Sequence, residues 1–397
     1  MMNYEKPGLP HIIFGSGTYV KVGTVLTGYN VTKCLIVTDP GVMNLGMVDK
    51  VGTVIEAHGI QYDVFKDVMP DPLDTVALQV AEIIKNGGYD GVVALGGGSP
   101  MDVAKAAALI ASFEESVEDL HDYRRTGPKA RTDWKRNYPL VTIPTTSGTG
   151  AEVTSSAVIT YSRTNLNFSF GNEAIHADTA IIDPEFTLGM PAGPTINGAM
   201  DALSHALENV VGNSQSEYSN MMMLECIERV WKWLPIAVAE PNDLEAREQL
   251  SWAAHNSEAN GGIPNGHAVG HALSSFYHLI HGHSCVIVLP TVIRHHAEAS
   301  QKAIAEIAKR IGVPVTGDAK VDAERVAQAV HRFYKSFGLM SLKEWMDAKG
   351  YEDDRETYIQ KMIPFVLDDF KSTTWNPPIH LDENMCGKVC GMVYDDK

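Results

Sequence analysis

Cysteine is scarce in this chain, and basic residues are outnumbered by acidic ones. The cysteine count is odd and the spacing shows no disulfide framework, which argues against a small secreted scaffold. The sequence also shows no signal-peptide pattern, so we expect the protein to work in a reducing cytoplasm. The five cysteines are Cys34, Cys226, Cys285, Cys386 and Cys390.

The deficit of positive charge narrows the choice of partners. Lys and Arg total 32 against 49 Asp and Glu, which gives a formal net charge of −17 at pH 7. Such a surface repels phosphate backbones and anionic lipids, so we expect neither a nucleic acid nor a membrane as partner. Solubility alone also explains an acidic surface. The apolar runs are too short to span a bilayer.

What the chain does have is the composition of an ordinary globular protein, with 44% hydrophobic and 20% charged residues over 397 positions. This length predicts two or three domains. In the first half, buried-type strand patterns alternate with helix patterns such as 74–86 and 102–113. That alternation predicts a mostly parallel sheet covered by helices on both faces. The predicted strands are 12–14, 33–38, 62–65, 91–95 and 139–143.

After residue 184 the pattern changes, because strand signals nearly vanish and long amphipathic runs take over. We therefore predict an α/β domain over residues 1–184 and an all-α domain over residues 185–397. The predicted helical runs are 198–212, 215–240, 245–259, 264–280, 300–311, 322–337 and 355–370.

Two loops at predicted strand ends are candidates for a nucleotide site, since ligands of open parallel sheets bind beyond the carboxyl ends of the strands. Glycines let the backbone approach a pyrophosphate, and a following helix N-terminus attracts it. The second loop offers hydroxyl groups to a sugar–phosphate ligand. A plain tight turn and a helix N-cap are alternative explanations of the two loops. The candidate residues are Gly97, Gly98, Ser99 and Asp102 in the first loop, and Thr145, Thr146, Ser147 and Thr149 in the second.

Asp39 ends another predicted strand with a carboxylate. An acidic side chain in this position of a dinucleotide site accepts hydrogen bonds from the adenosine ribose and repels a 2′-phosphate. This favours NAD over NADP. A turn-forming aspartate before Pro40 is an equally good explanation.

A third of the 15 histidines fall within the stretch from Gly261 to His283, which makes the stretch a candidate metal site. Upstream, Asp201 and His205 stand four residues apart on a predicted helix, so they share one face. Carboxylate and imidazole ligands suit a divalent first-row metal such as Fe²⁺ or Zn²⁺. Chance histidines on a polar helix and a helical salt link are the alternatives. The clustered histidines are His267, His271, His278, His281 and His283.

Taken together, these motifs resemble the iron-containing alcohol dehydrogenase family over about residues 8–300. The motifs, in order, are 96–102 (GGGSPMD), 144–149 (PTTSGT), Asp201-xxx-His205, 266–271 (GHxxGH) and His281-Gly. The resemblance implies a Rossmann-like domain followed by an all-α domain, an architecture shared with dehydroquinate synthase. It also implies NAD, a bound Fe²⁺ (or Zn²⁺), a small alcohol or aldehyde substrate and a homodimer or larger homo-oligomer.

Carried over by motif, the metal ligands are Asp201, His205, His267 and His281, where the family's spacing from the third ligand selects His281. His271 matches a position that the family uses beside the substrate, for proton relay or positioning. The chain departs from the pattern at Ile280, where proline is common, and at Asn167, where many members have a lysine that contacts the cofactor. His278 and His283 are additional to the pattern.

We therefore expect a metal-dependent oxidoreductase that transfers hydride between NAD(H) and a small primary alcohol or aldehyde, acting as an aldehyde reductase. The alternative is an NAD- and metal-dependent lyase resembling dehydroquinate synthase. A lyase of that kind needs basic residues gathered for a phosphate or carboxylates. The nearest such group in the helical half is Arg294, His295 and His296.

Overall fold

The computed structural model describes residues 10–212, 216–259, 265–372 and 382–396. Residues 261–264 of the histidine-rich stretch, and the predicted helix ends at 215 and 264, lie outside these ranges. The described residues form two compact units. The first runs as far as Met190 and includes Asn242–Ser251, and the second comprises Pro191–Pro241 and the residues from Trp252 onward.

A six-stranded, all-parallel sheet organises the first unit, in the order β1-β8-β5-β4-β2-β3. All six residues of the central strand β4 are buried, as a strand covered on both faces requires. The predicted parallel sheet is thus confirmed. The strands of the whole chain are β1 (His11–Phe14), β2 (Lys33–Val37), β3 (Gln61–Phe65), β4 (Gly91–Gly96), β5 (Leu140–Pro144), β6 (Ala157–Tyr161), β7 (Leu166–Phe170) and β8 (Thr179–Ile182).

Helices cover both faces of this sheet. Alternate residues of β2 divide between two hydrophobic cores, with Leu35 on one side and Ile36 on the other. The first core packs against α4 and α5, and the second against α1 and α3. The helices of this part of the chain are α1 (Val22–Gly28), α2 (Pro40–Asn44), α3 (Met47–Ala57), α4 (Asp74–Asn86) and α5 (Gly98–Ile110).

An antiparallel hairpin of β6 and β7 lies outside the main sheet and is absent from the sequence prediction. Its short strands mix buried and partly exposed residues without strict alternation, which is a weaker signal than the apolar runs of the parallel strands. Asn167 lies in β7 opposite Thr160, whose hydroxyl donates a 2.8 Å hydrogen bond to the Asn167 side chain.

The secondary-structure elements described in the second unit are all helices, as predicted. Its central element is α6 (Ala192–Val211), which is buried along most of its length and packs against α7 and α10. No helix within the described ranges is long and apolar enough to cross a membrane. Helix α8 (Leu244–Ala259) belongs to the first unit as far as Ser251 and to the second from Trp252 onward. The further helices are α7 (Glu217–Ala239), α9 (Asn265–Tyr277), α10 (His281–Val286), α11 (Leu289–His295), α12 (Gln301–Arg310), α13 (Ala319–Ser336), α14 (Leu342–Lys349), α15 (Arg355–Ser372) and α16 (Glu383–Tyr394).

Candidate metal centre and nucleotide-binding edge

Four side chains of the second unit converge on one point. Asp201 comes from α6, His267 from α9, and His281 and Cys285 from α10. One ligand atom of each lies within 4.8 Å of the ligand atoms of the other three. The Asp201 Oδ1 atom is 3.2 Å from His281 Nε2 and 3.5 Å from His267 Nε2. The Cys285 Sγ atom is 3.8 Å from each ring nitrogen of His281. We call these four residues the metal cluster.

Close packing of three helices produces the cluster, and glycines permit that packing. A Cβ atom at Gly282 would lie 1.8 Å from the carbonyl oxygen of Asn197, so α10 can approach the backbone of α6 only with glycine there. A Cβ atom at Gly270 would lie 2.7 Å from Cys285 Sγ. Glycine at this position of α9 therefore leaves room for the thiol.

Several buried polar atoms of the site have no hydrogen-bond partner among the described residues. They are both carboxylate oxygens of Asp201, the Nδ1 atom of His205 and the Nε2 atom of His267. Each unsatisfied buried polar group costs about 1–3 kcal/mol of folding stability. Four such atoms in one place therefore require an explanation. Nitrogen and oxygen lone pairs that face one another at these distances fit a divalent cation between them.

Two carboxylates contact histidines of the site at the ring nitrogen that faces away from the centre. Glu208 of α6 accepts a 2.8 Å hydrogen bond from His267 Nδ1, and its other oxygen accepts from the backbone amides of Gly266 and His267. Glu258 lies 2.5 Å from His205 Nε2. A carboxylate in this position fixes the tautomer and the orientation of a metal-binding imidazole. The sequence analysis missed both residues, although Glu208 follows Asp201 by two helical turns on the same face.

His205 and His271 flank the metal cluster. The His205 ring stacks on that of His267 with a centroid separation of 4.1 Å, and its Nδ1 atom is 3.9 Å from Asp201 Oδ1. The His271 ring stacks on His281 at 5.1 Å. All the predicted ligands, together with the predicted relay residue, therefore lie in one contiguous group. His281 is the most exposed side chain of the cluster at 35%, so solvent reaches the group from its side.

The two additional histidines point elsewhere. His278 is exposed and joins α9 to α10 in a left-handed backbone conformation with φ of 53°. His283 is buried, and its Nε2 atom lies 2.7 Å from the carbonyl oxygen of Met340 while its ring packs edge-on against Trp345. His283 therefore holds α10 against the segment before α14 and does not face the cluster.

The side chains of the metal cluster shift one another's pKa values. Burial alone would raise the pKa of Asp201, but His281 and His205 hold that pKa well below its ordinary value. Burial alone would lower the pKa values of His267 and His281, yet Cys285 and nearby carboxylates raise both well above the ordinary value. Burial opposes ionisation of Cys285, but the two imidazoles lower its thiol pKa to about 6.

In the first unit, the two predicted loops lie side by side at the carboxyl edge of the sheet. Gly96 ends β4 with φ of 155°, and its carbonyl accepts a 2.9 Å hydrogen bond from the Thr145 amide. A Cβ atom at Gly97 would lie 3.4 Å from Thr146, and one at Gly98 would lie 3.1 Å from Thr149. The helix α5 begins at Gly98, four residues earlier than predicted, so its free amides belong to the glycine loop itself.

A buried lysine fastens the hydroxyl-rich loop to α5. The Lys105 ammonium group donates to the carbonyl of Ala151 and the hydroxyl of Thr154, both at 2.9 Å, and lies 3.1 Å from Asp102 Oδ1. The other oxygen of Asp102 accepts a hydrogen bond from the Val158 amide. The Asp102 carboxylate is therefore engaged in holding the loop.

The remaining candidates of the edge differ in exposure. Ser99 is partly exposed in the first turn of α5, whereas Ser147 is buried and hydrogen-bonds Ser251 at 2.8 Å. Asp39 caps α2, because one carboxylate oxygen accepts from the Val42 amide at 3.0 Å. Its other oxygen lies 3.2 Å from the Cβ position of Gly96, so the carboxylate reaches the glycine loop.

A parallel sheet with a glycine-rich edge, followed by a helical unit with a buried Asp/His cluster, defines a metal-dependent nucleotide-binding enzyme. Comparison with known proteins identifies the class. Residues 10–184 match the family described as iron-containing alcohol dehydrogenase, and residues 195–363 match the C-terminal domain of the same family.

Individual relatives agree with the family match. The chain is 34% identical to the NAD-dependent methanol dehydrogenase of Bacillus methanolicus, over 90% of this chain and 92% of that protein. It is 30% identical to the lactaldehyde reductase of Escherichia coli strain K12, over 82% and 85% of the two chains. The solved sulfoacetaldehyde reductase of Bifidobacterium kashiwanohense in complex with NAD⁺ is 26% identical, with a TM-score of 0.83 and 99% of both chains covered.

The chain belongs to the iron-containing alcohol dehydrogenase family. The family, the fold class and the enzyme class predicted from the sequence are thereby confirmed. The relatives named above are dehydrogenases and reductases, which does not favour the lyase alternative.

Proposed function

We propose that the protein interconverts a small primary alcohol and its aldehyde by hydride transfer to and from NAD, and that it works as an aldehyde reductase. The observation that carries the proposal is the group of inward-facing, unsatisfied ligand atoms on Asp201, His205 and His267. Beside them stand a fourth candidate ligand, His281, and a candidate proton donor, His271.

Asp201, His205, His267 and His281 would hold the metal. When bound, a divalent ion at this position acts as a Lewis acid toward the substrate oxygen. The donor set suits Fe²⁺ and Zn²⁺ alike, and because the intrinsic affinity order favours Zn²⁺, supply decides between them. Glu208 and Glu258 orient His267 and His205 and keep their lone pairs directed at the centre.

His271 is our candidate for delivering the proton that aldehyde reduction consumes. His271 is itself buried, but its ring stacks on that of His281, whose side chain is 35% exposed and links the group to solvent. An imidazole beside the reacting oxygen suits general acid catalysis near neutral pH.

The glycine and hydroxyl loops would bind the dinucleotide. Free amides at the start of α5 suit the pyrophosphate, and the side chains of Thr145, Thr146, Ser147 and Thr149 suit the ribose and phosphate oxygens. Asp39 would accept hydrogen bonds from the adenosine ribose and disfavour NADP. Asp102 contributes by fixing the loop through Lys105.

We assign dinucleotide binding to the domain of residues 1–184 and metal binding to the domain of residues 185–397. The family resemblance suggests a homodimer or larger homo-oligomer, and the odd, unpaired set of buried cysteines suits a cytoplasmic enzyme.

The function can be tested with the purified, full-length protein. We expect metal to copurify without supplementation, and NADH absorbance to fall when a small aldehyde is added. NADPH should support a slower reaction. A panel of aldehydes with and without an anionic group identifies the substrate class. Metal-bearing protein that binds NADH and turns over no aldehyde would refute the proposal.

A further inference from the structure

The metal cluster contains a thiol that the predicted Asp/His ligand set does not include. Cys285 is fully buried and stands four residues after His281, so both side chains leave α10 on the same face. Its sulfur is one of the four ligand atoms that lie within 4.8 Å of one another. The other described cysteines are buried too, but none of them belongs to a group of potential metal ligands.

The distances within the cluster match the edges of one coordination polyhedron. With metal bonds of about 2.0–2.2 Å to nitrogen and oxygen, neighbouring ligands of a tetrahedral ion would lie about 3.3–3.6 Å apart, and a sulfur at about 2.3 Å would lie about 3.6 Å from a nitrogen. The observed separations are 3.2 and 3.5 Å from Asp201 to the two histidines and 3.8 Å from Cys285 to His281. By contrast, His205 Nδ1 is 3.9 Å from Asp201 Oδ1, which requires a wider angle at the ion.

The contacts of Cys285 do not give its sulfur a directed hydrogen bond. Its side-chain neighbours include His281 at 3.8 Å, Ser284 at 4.0 Å and His267, so two of the three are other candidate ligands of the metal cluster. Distances of 3.8 Å to both nitrogens of one ring do not describe a directed S–H bond to either. Gly270, on the facing helix α9, provides the space that the sulfur fills.

We propose that Cys285 is a further ligand of the metal, bound as thiolate. This inference rests on the metal site of the proposed function. On loading, the Sγ–H bond breaks, a metal–sulfur bond forms and the proton passes to solvent. A thiolate among imidazoles and a carboxylate favours Zn²⁺ and Co²⁺ over harder ions such as Mn²⁺, which makes this centre softer than an Asp/His₃ set.

Cobalt tests the proposal because it reports sulfur ligation without any turnover. The full-length protein is stripped of metal, loaded with Co²⁺ and studied by absorption and by X-ray absorption at the cobalt edge. We expect an intense near-ultraviolet sulfur-to-cobalt charge-transfer band and a sulfur neighbour at about 2.3 Å. Cys285→Ser should lose the band and bind Co²⁺ at least about tenfold more weakly. The matched control is Cys226→Ser, a buried cysteine of α7, which should keep both properties.

The outcomes distinguish failure of Cys285 ligation from failure of the proposed metal site itself. Bound cobalt with only nitrogen and oxygen neighbours in the wild-type protein would overturn ligation by Cys285 and leave the metal site intact. Failure of the wild-type protein to bind cobalt at all would instead overturn the metal site. The wild-type X-ray measurement decides the matter even if Cys285→Ser does not fold.

Discussion

Glu208 offers the sharpest test of how the site is held. Its carboxylate is fully occupied, since Oε1 accepts from His267 Nδ1 and Oε2 accepts from two backbone amides. The variant Glu208→Gln keeps the size and shape but replaces one acceptor oxygen with a donor NH₂ group. That group then faces either the imidazole N–H or the amides of Gly266 and His267, and in both cases two donors oppose each other.

The expected size of the effect follows from the site. Loss of a carboxylate that orients a metal-binding histidine typically weakens metal binding about 10–100-fold, which corresponds to about 1.4–2.7 kcal/mol. A buried donor left unsatisfied adds about 1–3 kcal/mol of lost folding stability. We therefore expect Glu208→Gln to lower both metal affinity and the melting temperature, and to lose turnover that excess metal restores in part.

The assay is a competition titration of metal-free protein with a chromophoric chelator, alongside thermal unfolding. Glu306→Gln is the matched control, because Glu306 is exposed on α12 and pairs only with Lys309 among the described residues. An unchanged metal affinity in Glu208→Gln would refute the argument that this carboxylate orients His267.

Three further predictions concern other parts of the molecule. His271→Ala should retain metal and slow aldehyde reduction about 10²–10⁴-fold, the usual range for a general acid; loss of the metal would reassign His271 as a ligand. Asp39→Asn keeps the hydrogen bond to the Val42 amide and removes the charge. The preference for NADH over NADPH, measured as the ratio of the two kcat/KM values, should therefore fall at least about tenfold. An unchanged ratio would show that Asp39 only caps α2. Burial, with His296 and Lys388, lowers the pKa of His295 to about 4 in the folded protein, whereas an unfolded histidine has a pKa of about 6.5. The contribution of His295 to stability is therefore complete above a pH of about 6.5 and is lost as the pH falls from about 6.5 toward about 4. His295→Gln should lose less stability than wild type between pH 7 and pH 5, by about 1 kcal/mol in urea unfolding once solvent screening is counted, and equal losses would contradict the assignment.

The sequence predicted the parts of the fold that local pattern determines. The parallel strands are short apolar runs, and their alternation with amphipathic helices leaves few other arrangements. The hairpin of β6 and β7 was missed, because partly exposed strands carry only a weak signal. The short helices α10, α11 and α14 were missed too, since six to eight residues give little periodicity.

Site residues could be predicted from the sequence only where they belong to a recognisable motif. Asp201, His205, His267 and His281 follow from spacing and family resemblance, and the structure gathers them in one place. Glu258 was not predicted, because its proximity to the centre depends on how α8 packs. Cys285 stands four residues after His281, but that spacing carries information only if both lie on one helix, and α10 itself was not predicted. Conversely, His283 resembled a ligand by position but faces Met340, since its place on α10 directs it away from Asp201.

The central claim is that His281 binds a catalytic metal, and metal content measured in two histidine variants tests it most directly. His281→Ala removes the imidazole that lies 3.2 Å from Asp201, whereas His278→Asn changes an exposed histidine three residues earlier and suits its left-handed backbone. We predict about one metal ion per chain in wild type and His278→Asn, and loss of both metal and NADH-dependent aldehyde reduction in His281→Ala. Full metal occupancy in His281→Ala would contradict the account.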